Sequence, residues 1–156
     1  MTTQAIDLLF LEVDMSSSGK QSCSACDIAE THLNTALELA RPLLAEAGYE
    51  VRVNRVKVTS EEQARQLNFL GSPTLRVAGS EVAPHHVSDS EDRLWSWGGK
   101  EFSEPPVGLF LDLILRGVRK NSSWAPAQKP EEIPSYVRRY LQSSTPDVGS
   151  ECHSCS

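Results

Sequence analysis

The strongest constraint on the fold is the setting of one cysteine pair. A largely apolar run from Ile6 to Asp14 is followed by a serine- and glycine-containing loop, then Cys23-Ser24-Ala25-Cys26, then a long segment of helical periodicity. Leu, Phe and Val in the run read as a buried strand. From Cys26 to Ala47 the residues Leu33, Ala36, Leu37, Ala40 and Leu44 fall on one face, Gly48 offers a stop, and Pro42 is expected to kink the helix. Two cysteines at a strand-to-helix junction point to redox or metal chemistry before a structural disulfide.

Composition limits the remaining classes. A hydrophobic content of 39% with 23% charged residues is that of a globular chain, and 156 residues suffice for one core plus a modest extension. The net charge is −6 and no basic run exceeds Arg138-Arg139, so a phosphate backbone finds no electrostatic footprint and nucleic acid is not expected as a partner. The first apolar run carries Asp7, Glu12 and Asp14 with no Lys or Arg before it, which argues against a signal peptide. No apolar run approaches the roughly 20 residues that span a bilayer, so no membrane partner is expected. The expected compartment is the cytoplasm, where thiols stay reduced.

Beyond the first helix, Tyr49 to Val58 reads as a strand whose alternation changes phase near Asn54-Arg55, predicting a bulge there. Ser60 with Gln63, or Thr59 with Glu62, forms a capping box opening a short helix that ends near Leu70. Gly71-Ser72-Pro73-Thr74 is turn chemistry before a strand, Leu75 to Val77, and Pro73 stands where a missing N–H is tolerated. Leu94 to Trp97 and Lys100 to Phe102 flank Gly98-Gly99 as a hairpin. Pro105-Pro106 opens a last helix, with Leu109, Phe110, Leu113 and Ile114 on one stripe before Gly117. This organises residues 1–119 as the domain. Residues 120–156 form a C-terminal extension holding four of the nine prolines and eight serines. It is expected to contain a short helix at about 131–142 and then a mobile, cysteine-containing tail.

The strand leading to Cys23-x-x-Cys26, the later Leu70-Gly71-Ser72-Pro73-Thr74-Leu75 step, the hairpin and the last helix, in that order, resemble the thioredoxin-like superfamily. More narrowly, Ser72-Pro73-Thr74 with Trp95-x-Trp97-Gly98-Gly99-Lys100-x-Phe102 and Pro105-Pro106 is similar to a group of bacterial thioredoxin-like proteins of unknown function. The resemblance covers about residues 5–118. It implies an α/β fold with a central mixed sheet of about four to five strands flanked by helices, closed by the hairpin and last helix. It also implies a cis Pro73 lying beside the thiols. The chain departs from thioredoxin itself: no Trp precedes Cys23, no Gly-Pro separates the cysteines, and the loop from Met15 to Ser22 is longer.

The expected activity is thiol–disulfide exchange. Free N–H groups and the helix dipole stabilise a thiolate at a helix N-terminus, so Cys23 is the expected nucleophile and Cys26, one turn in, the resolving thiol. The alternative for the two is a pair of small residues buried at a helix start. Pro73, with Ser72 and Thr74 beside it, would shield the pair and offer neighbouring N–H or C=O groups to an extended substrate chain. Lys20 could add positive field, and Asp14 could move a proton, although a solvated loop lysine and strand-end carboxylate are the simpler readings. No NAD or FAD fingerprint is present and no cofactor is expected, so electrons would pass to or from another protein or a small thiol.

The rival reading is a soft-metal or metalloid binder without turnover. Cys152-His153-Ser154-Cys155 repeats the spacing of the first pair, and Cys23, Cys26, Cys152 and Cys155 are its candidate ligands for zinc, copper, mercury or arsenic. The tail pair could instead relay disulfides to the first pair. His85-His86 could add ligands but read more simply as solvated, and Asp89, Glu91 and Asp92 lack the glycine and terminal Glu of a calcium loop. Trp95 and Trp97 share a strand face, for packing in the core or under the last helix, or for a substrate platform.

Overall fold

The structure, a computed structural model, describes residues 2–19, 24–88, 90, 92–122 and 132–144. It divides into two units, residues 1–122 and 123–156. The first is α/β, built on a mixed four-stranded sheet. β1 (Gln4–Val13) lies in its middle, parallel to β2 (Tyr49–Val58) and antiparallel to β3 (Thr74–Val77), which pairs with β4 (Ser80–Val82) in the order β2-β1-β3-β4.

Helix α1 (Ser24–Glu46) connects β1 to β2, as a parallel pair requires. Its buried residues, Ala29, Leu33, Ala36, Leu37, Ala40 and Leu44, join Ile6, Leu8 and Phe10 of β1 in one core. Pro42 stands within this helix on its exposed side. The last helix of this unit, α3 (Val107–Asn121), adds Leu109, Phe110, Leu113 and Ile114 to the same core. It does not stop at Gly117. A Cβ at Gly117 would run into Val77 Cγ1, so the glycine lets α3 approach β3 and terminates nothing. His32 Nδ1 on α1 donates to the Pro105 carbonyl at 2.6 Å, tying α1 to the approach of α3.

Three expectations are corrected. β2 has no bulge: its pairing with β1 runs without a break from Gln4↔Tyr49 to Val13↔Val58. The phase change arises because Arg55 occupies the face that Val51 and Val53 line. Its guanidinium sits 5.2 Å from the Phe10 ring centre and pairs with Glu30 at 2.8 Å and the buried Glu12 at 3.8 Å, so an amphipathic side chain covers the core there.

The second concerns the short helix α2 (Glu61–Gln66), which ends four residues before Leu70. Asn68 is left-handed (φ 51°), and the N–H groups of Asn68 and Phe69 close back onto the Arg65 and Ala64 carbonyls. At its other end Ser60 caps the helix, its hydroxyl accepting from the Gln63 N–H at 3.1 Å, while Gln63 Oε1 accepts from the Thr59 N–H at 2.8 Å, one residue before the amide that a closed capping box would use.

Third, the tryptophan hairpin does not close the central sheet. β3 and β4 do, through a two-residue turn with positive φ at Ala78 and Gly79. The hairpin, β6 (Arg93–Trp97) with β7 (Lys100–Phe102), forms a separate sheet with β5 (His85–His86), in the order β5-β6-β7. Trp95 is 1% exposed and meets Phe110 edge-on, with ring centres 5.9 Å apart. Trp97 is partly exposed; its Nε1 donates to Asp112, and its ring occupies the space a Cβ on Gly108 would need.

In the second unit α4 (Ser135–Ser144) follows Pro134, whose carbonyl accepts from the Arg138 N–H at 2.9 Å. No helix among the described residues is long and apolar enough to cross a membrane.

Candidate functional site

The first turn of α1 and the turn that opens β3 meet at Cys26. Its side chain is 1% exposed, and its Sγ lies 3.5 Å from the hydroxyl of Ser72, 46 residues away in sequence. The Ser72–Pro73 peptide bond is cis. Cys23 lies outside the described residues, as do Lys20, Asp89, Glu91, Cys152, His153 and Cys155.

Every polar group of Ser72 is engaged. The hydroxyl accepts from the Val13 N–H at 3.1 Å at the end of β1, the backbone N–H donates to His86 Nε2 at 3.0 Å, and Arg93 Nε donates to the backbone carbonyl at 2.6 Å. Ser72 itself is 5% exposed, so unmade hydrogen bonds here would be expensive. Thr74 is buried as well, with its hydroxyl donating to the Gly71 carbonyl at 2.6 Å. Gly71 permits a close backbone approach, since a Cβ there would stand 2.6 Å from the Pro84 carbonyl oxygen.

Arg93 was not legible as a site residue, and His86 was read only as a possible metal ligand or a solvated histidine. They are cross-strand partners in β5 and β6, so the small sheet presents them together to the turn before Pro73. To accept from an N–H, Nε2 must be unprotonated, which places the proton of a neutral His86 on Nδ1. Burial, then the cation of Arg93, then His85, lowers its pKa below the ordinary 6.5 and favours that neutral form. His85, its neighbour, is exposed. Adjacent histidines separated from Ser72 by the two strands β3 and β4 carry no sequence signal of this contact.

Asp14 anchors the turn that follows β1. Its carboxylate accepts from the N–H and hydroxyl of Ser16, both at 3.0 Å, and these bonds lower its pKa below the ordinary carboxylate value. It is a turn anchor that stays ionised at neutral pH. Among the described residues no three His, Cys, Asp or Glu side chains gather as a metal site.

Beside the first turn of α1 runs a groove of about 490 Å³, lined by Ser24, Ala25 and Ile28 and across from them by Asp92, Arg93, Leu94, Ser103 and Glu104. A larger groove of about 720 Å³ along α3 is lined by Ser80, Asp112, Arg116, Arg119 and Lys120, with no thiol or imidazole in it. Neither lining includes a cysteine or histidine side chain; position distinguishes the groove at α1, since Ser24 and Ala25 belong to the helical turn that carries Cys26.

Comparison with curated proteins and with solved structures gives no match. A family model described as a domain of unknown function (DUF2703) matches residues 9–114, from β1 through both sides of the Ser72 turn and into α3. That span exceeds half of the chain, and the protein therefore belongs to the DUF2703 family.

Proposed function

We propose that the first unit is a thioredoxin-like domain and that the protein is a thiol–disulfide oxidoreductase working through Cys23 and Cys26. The observation that carries this reading is the placement of Cys26: buried in the first turn of a 23-residue helix, 3.5 Å from the hydroxyl of the residue that precedes a cis proline. A helix of that length carries the positive end of its dipole at the turn that holds Cys26, which favours thiolate over thiol there.

The chemistry balances as two successive displacements. The Cys23 thiolate attacks one sulfur of a substrate disulfide, forming a mixed disulfide and releasing a thiolate that takes up a proton. Cys26 then loses its proton, attacks the Cys23 sulfur and releases the second substrate thiolate. Two electrons pass to the substrate, and the protein is left with a Cys23–Cys26 disulfide. A reduced small thiol or a reduced protein thiol returns it to the dithiol. Ser72 holds its hydroxyl against Cys26 Sγ and gives the buried resolving thiol a polar contact. We place the reaction in the cytoplasm, with a protein or small thiol/disulfide as the partner.

Graded oxidation in glutathione buffers, read by intact and peptide mass spectrometry, tests this reading. The expected result is a reversible Cys23–Cys26 bond with a midpoint between roughly −180 and −270 mV. If that bond never closes, while zinc, copper or arsenite protects the cysteines from alkylation, the protein is a thiol-based metal binder instead.

A further inference from the structure

An extended polypeptide bound beside the thiols needs main-chain groups to pair with. Pro73 has no N–H, so at this step the N–H must come from Ser72. That proton is already given to His86 Nε2 at 3.0 Å, and the carbonyl of the same residue receives Arg93 Nε at 2.6 Å. An amide has one proton, and a substrate carbonyl would have to displace the imidazole to reach it. Because His86 and Arg93 face each other across β5 and β6, they close on both sides of Ser72 as a unit.

A second observation points the same way. The groove at the first turn of α1 holds about 490 Å³, within the range of small-molecule sites, and is polar at both signs: Arg93 supplies a cation, Asp92 and Glu104 carboxylates. A ligand with both a carboxylate and an ammonium matches that lining. We infer that the thiol site serves small, zwitterionic, amino-acid-derived disulfides rather than polypeptide disulfides, with His86 and Arg93 setting this preference by occupying the main chain of Ser72. The inference rests on the disulfide-exchange reading above. The step is the one already balanced: the protein dithiol becomes a disulfide and one small disulfide becomes two thiols.

Single-turnover mixing of the prereduced full-length protein tests it, with cystine, which has no amide, as one substrate and two unstructured peptides joined by a disulfide as the other. The C23S variant supplies the background from the remaining cysteines. Cystine should react faster by about tenfold, the factor that one blocked hydrogen bond is worth. H86A should narrow the ratio to about threefold or less by releasing the Ser72 N–H, and H86Q, which retains an acceptor, should restore it. Hydrogen exchange at the Ser72 amide, faster in H86A than in the parent, reads the bond without reference to turnover. Equal rates for the two substrates in the parent protein overturn the inference and leave the oxidoreductase reading standing. An unchanged ratio in H86A overturns the role given to His86. Failure to exchange with either substrate, with the dithiol shown to be reduced at the start, overturns the oxidoreductase reading itself.

Discussion

Replacing Gly117 by alanine sets two effects of opposite sign against each other. In a helix interior alanine is more favourable than glycine by about 0.8–1 kcal/mol. The added methyl, however, would overlap Val77 Cγ1 and lie 3.2 Å from Val77 Cβ and 3.7 Å from Ile6 Cγ2. Val77 is 1% exposed, belongs to β3 and is branched at Cβ, so it has neither room nor a second comfortable rotamer. Forcing a methyl into such a place costs about 1–3 kcal/mol, and the net expectation is a loss of about 0–2 kcal/mol. Urea unfolding of the full-length protein measures it. Val77→Ala alone should also destabilise, by about 2 kcal/mol, through the cavity it leaves. In the double variant the methyl added at position 117 fills that cavity, so the combined loss should fall short of the sum by about 1 kcal/mol or more. A Gly117→Ala protein that is more stable than its parent would falsify the close approach of α3 to β3.

Two further outcomes concern the Ser72 turn. Because the folded state holds His86 neutral, with its pKa below the ordinary 6.5, the unfolded chain takes up the proton first as pH falls; stability is fully present above about 6.5 and declines below it. Urea midpoints measured from pH 8 to pH 5 should show that decline in the parent and a flatter profile in His86→Gln, and identical profiles would remove His86 as its source. Ser72→Ala leaves the Val13 N–H without its acceptor at a position 5% exposed, an expected loss of about 1–2 kcal/mol by the same assay. A loss under about 0.5 kcal/mol, the size of an ordinary surface change, would mean that the hydroxyl holds nothing.

Legibility followed the range of the signals. α1, the turn at Pro73, the Gly98-Gly99 hairpin and the apolar stripe of α3 rest on local periodicity and turn chemistry, and each stands where the sequence places it. The hairpin of β3 and β4 went unread because Ala78-Gly79 lacks the asparagine or aspartate that usually marks such a turn, and β4 spans only three residues. Gly117 as a contact and Arg55 as a cover for Phe10 both need knowledge of what lies across the core, whereas Asn68 as a helix stop is a local signal that went unread. A phase change in a hydrophobic pattern reports either a bulge or a long cation lying flat, and one strand cannot tell them apart. At the site, Cys26 and Pro73 were visible as motif members. His86 and Arg93 were not, since they act through single hydrogen bonds to a main chain 14 and 21 residues away.

The bare α-carbon of Gly71 turns the small sheet into a gauge for the thiol turn. Residue 71 is touched by the backbone of Pro84, and residue 72 by the side chain of His86, two positions further along. Two residues is one full repeat of an extended chain, so the first contact sets which side of β5 the imidazole leaves from. One residue inserted between Pro84 and His86 would send the imidazole to the opposite side, and a side chain at position 71 would lift Pro84 and carry the histidine off Ser72. Glycine at this position thus fixes the reach of a histidine fifteen residues downstream.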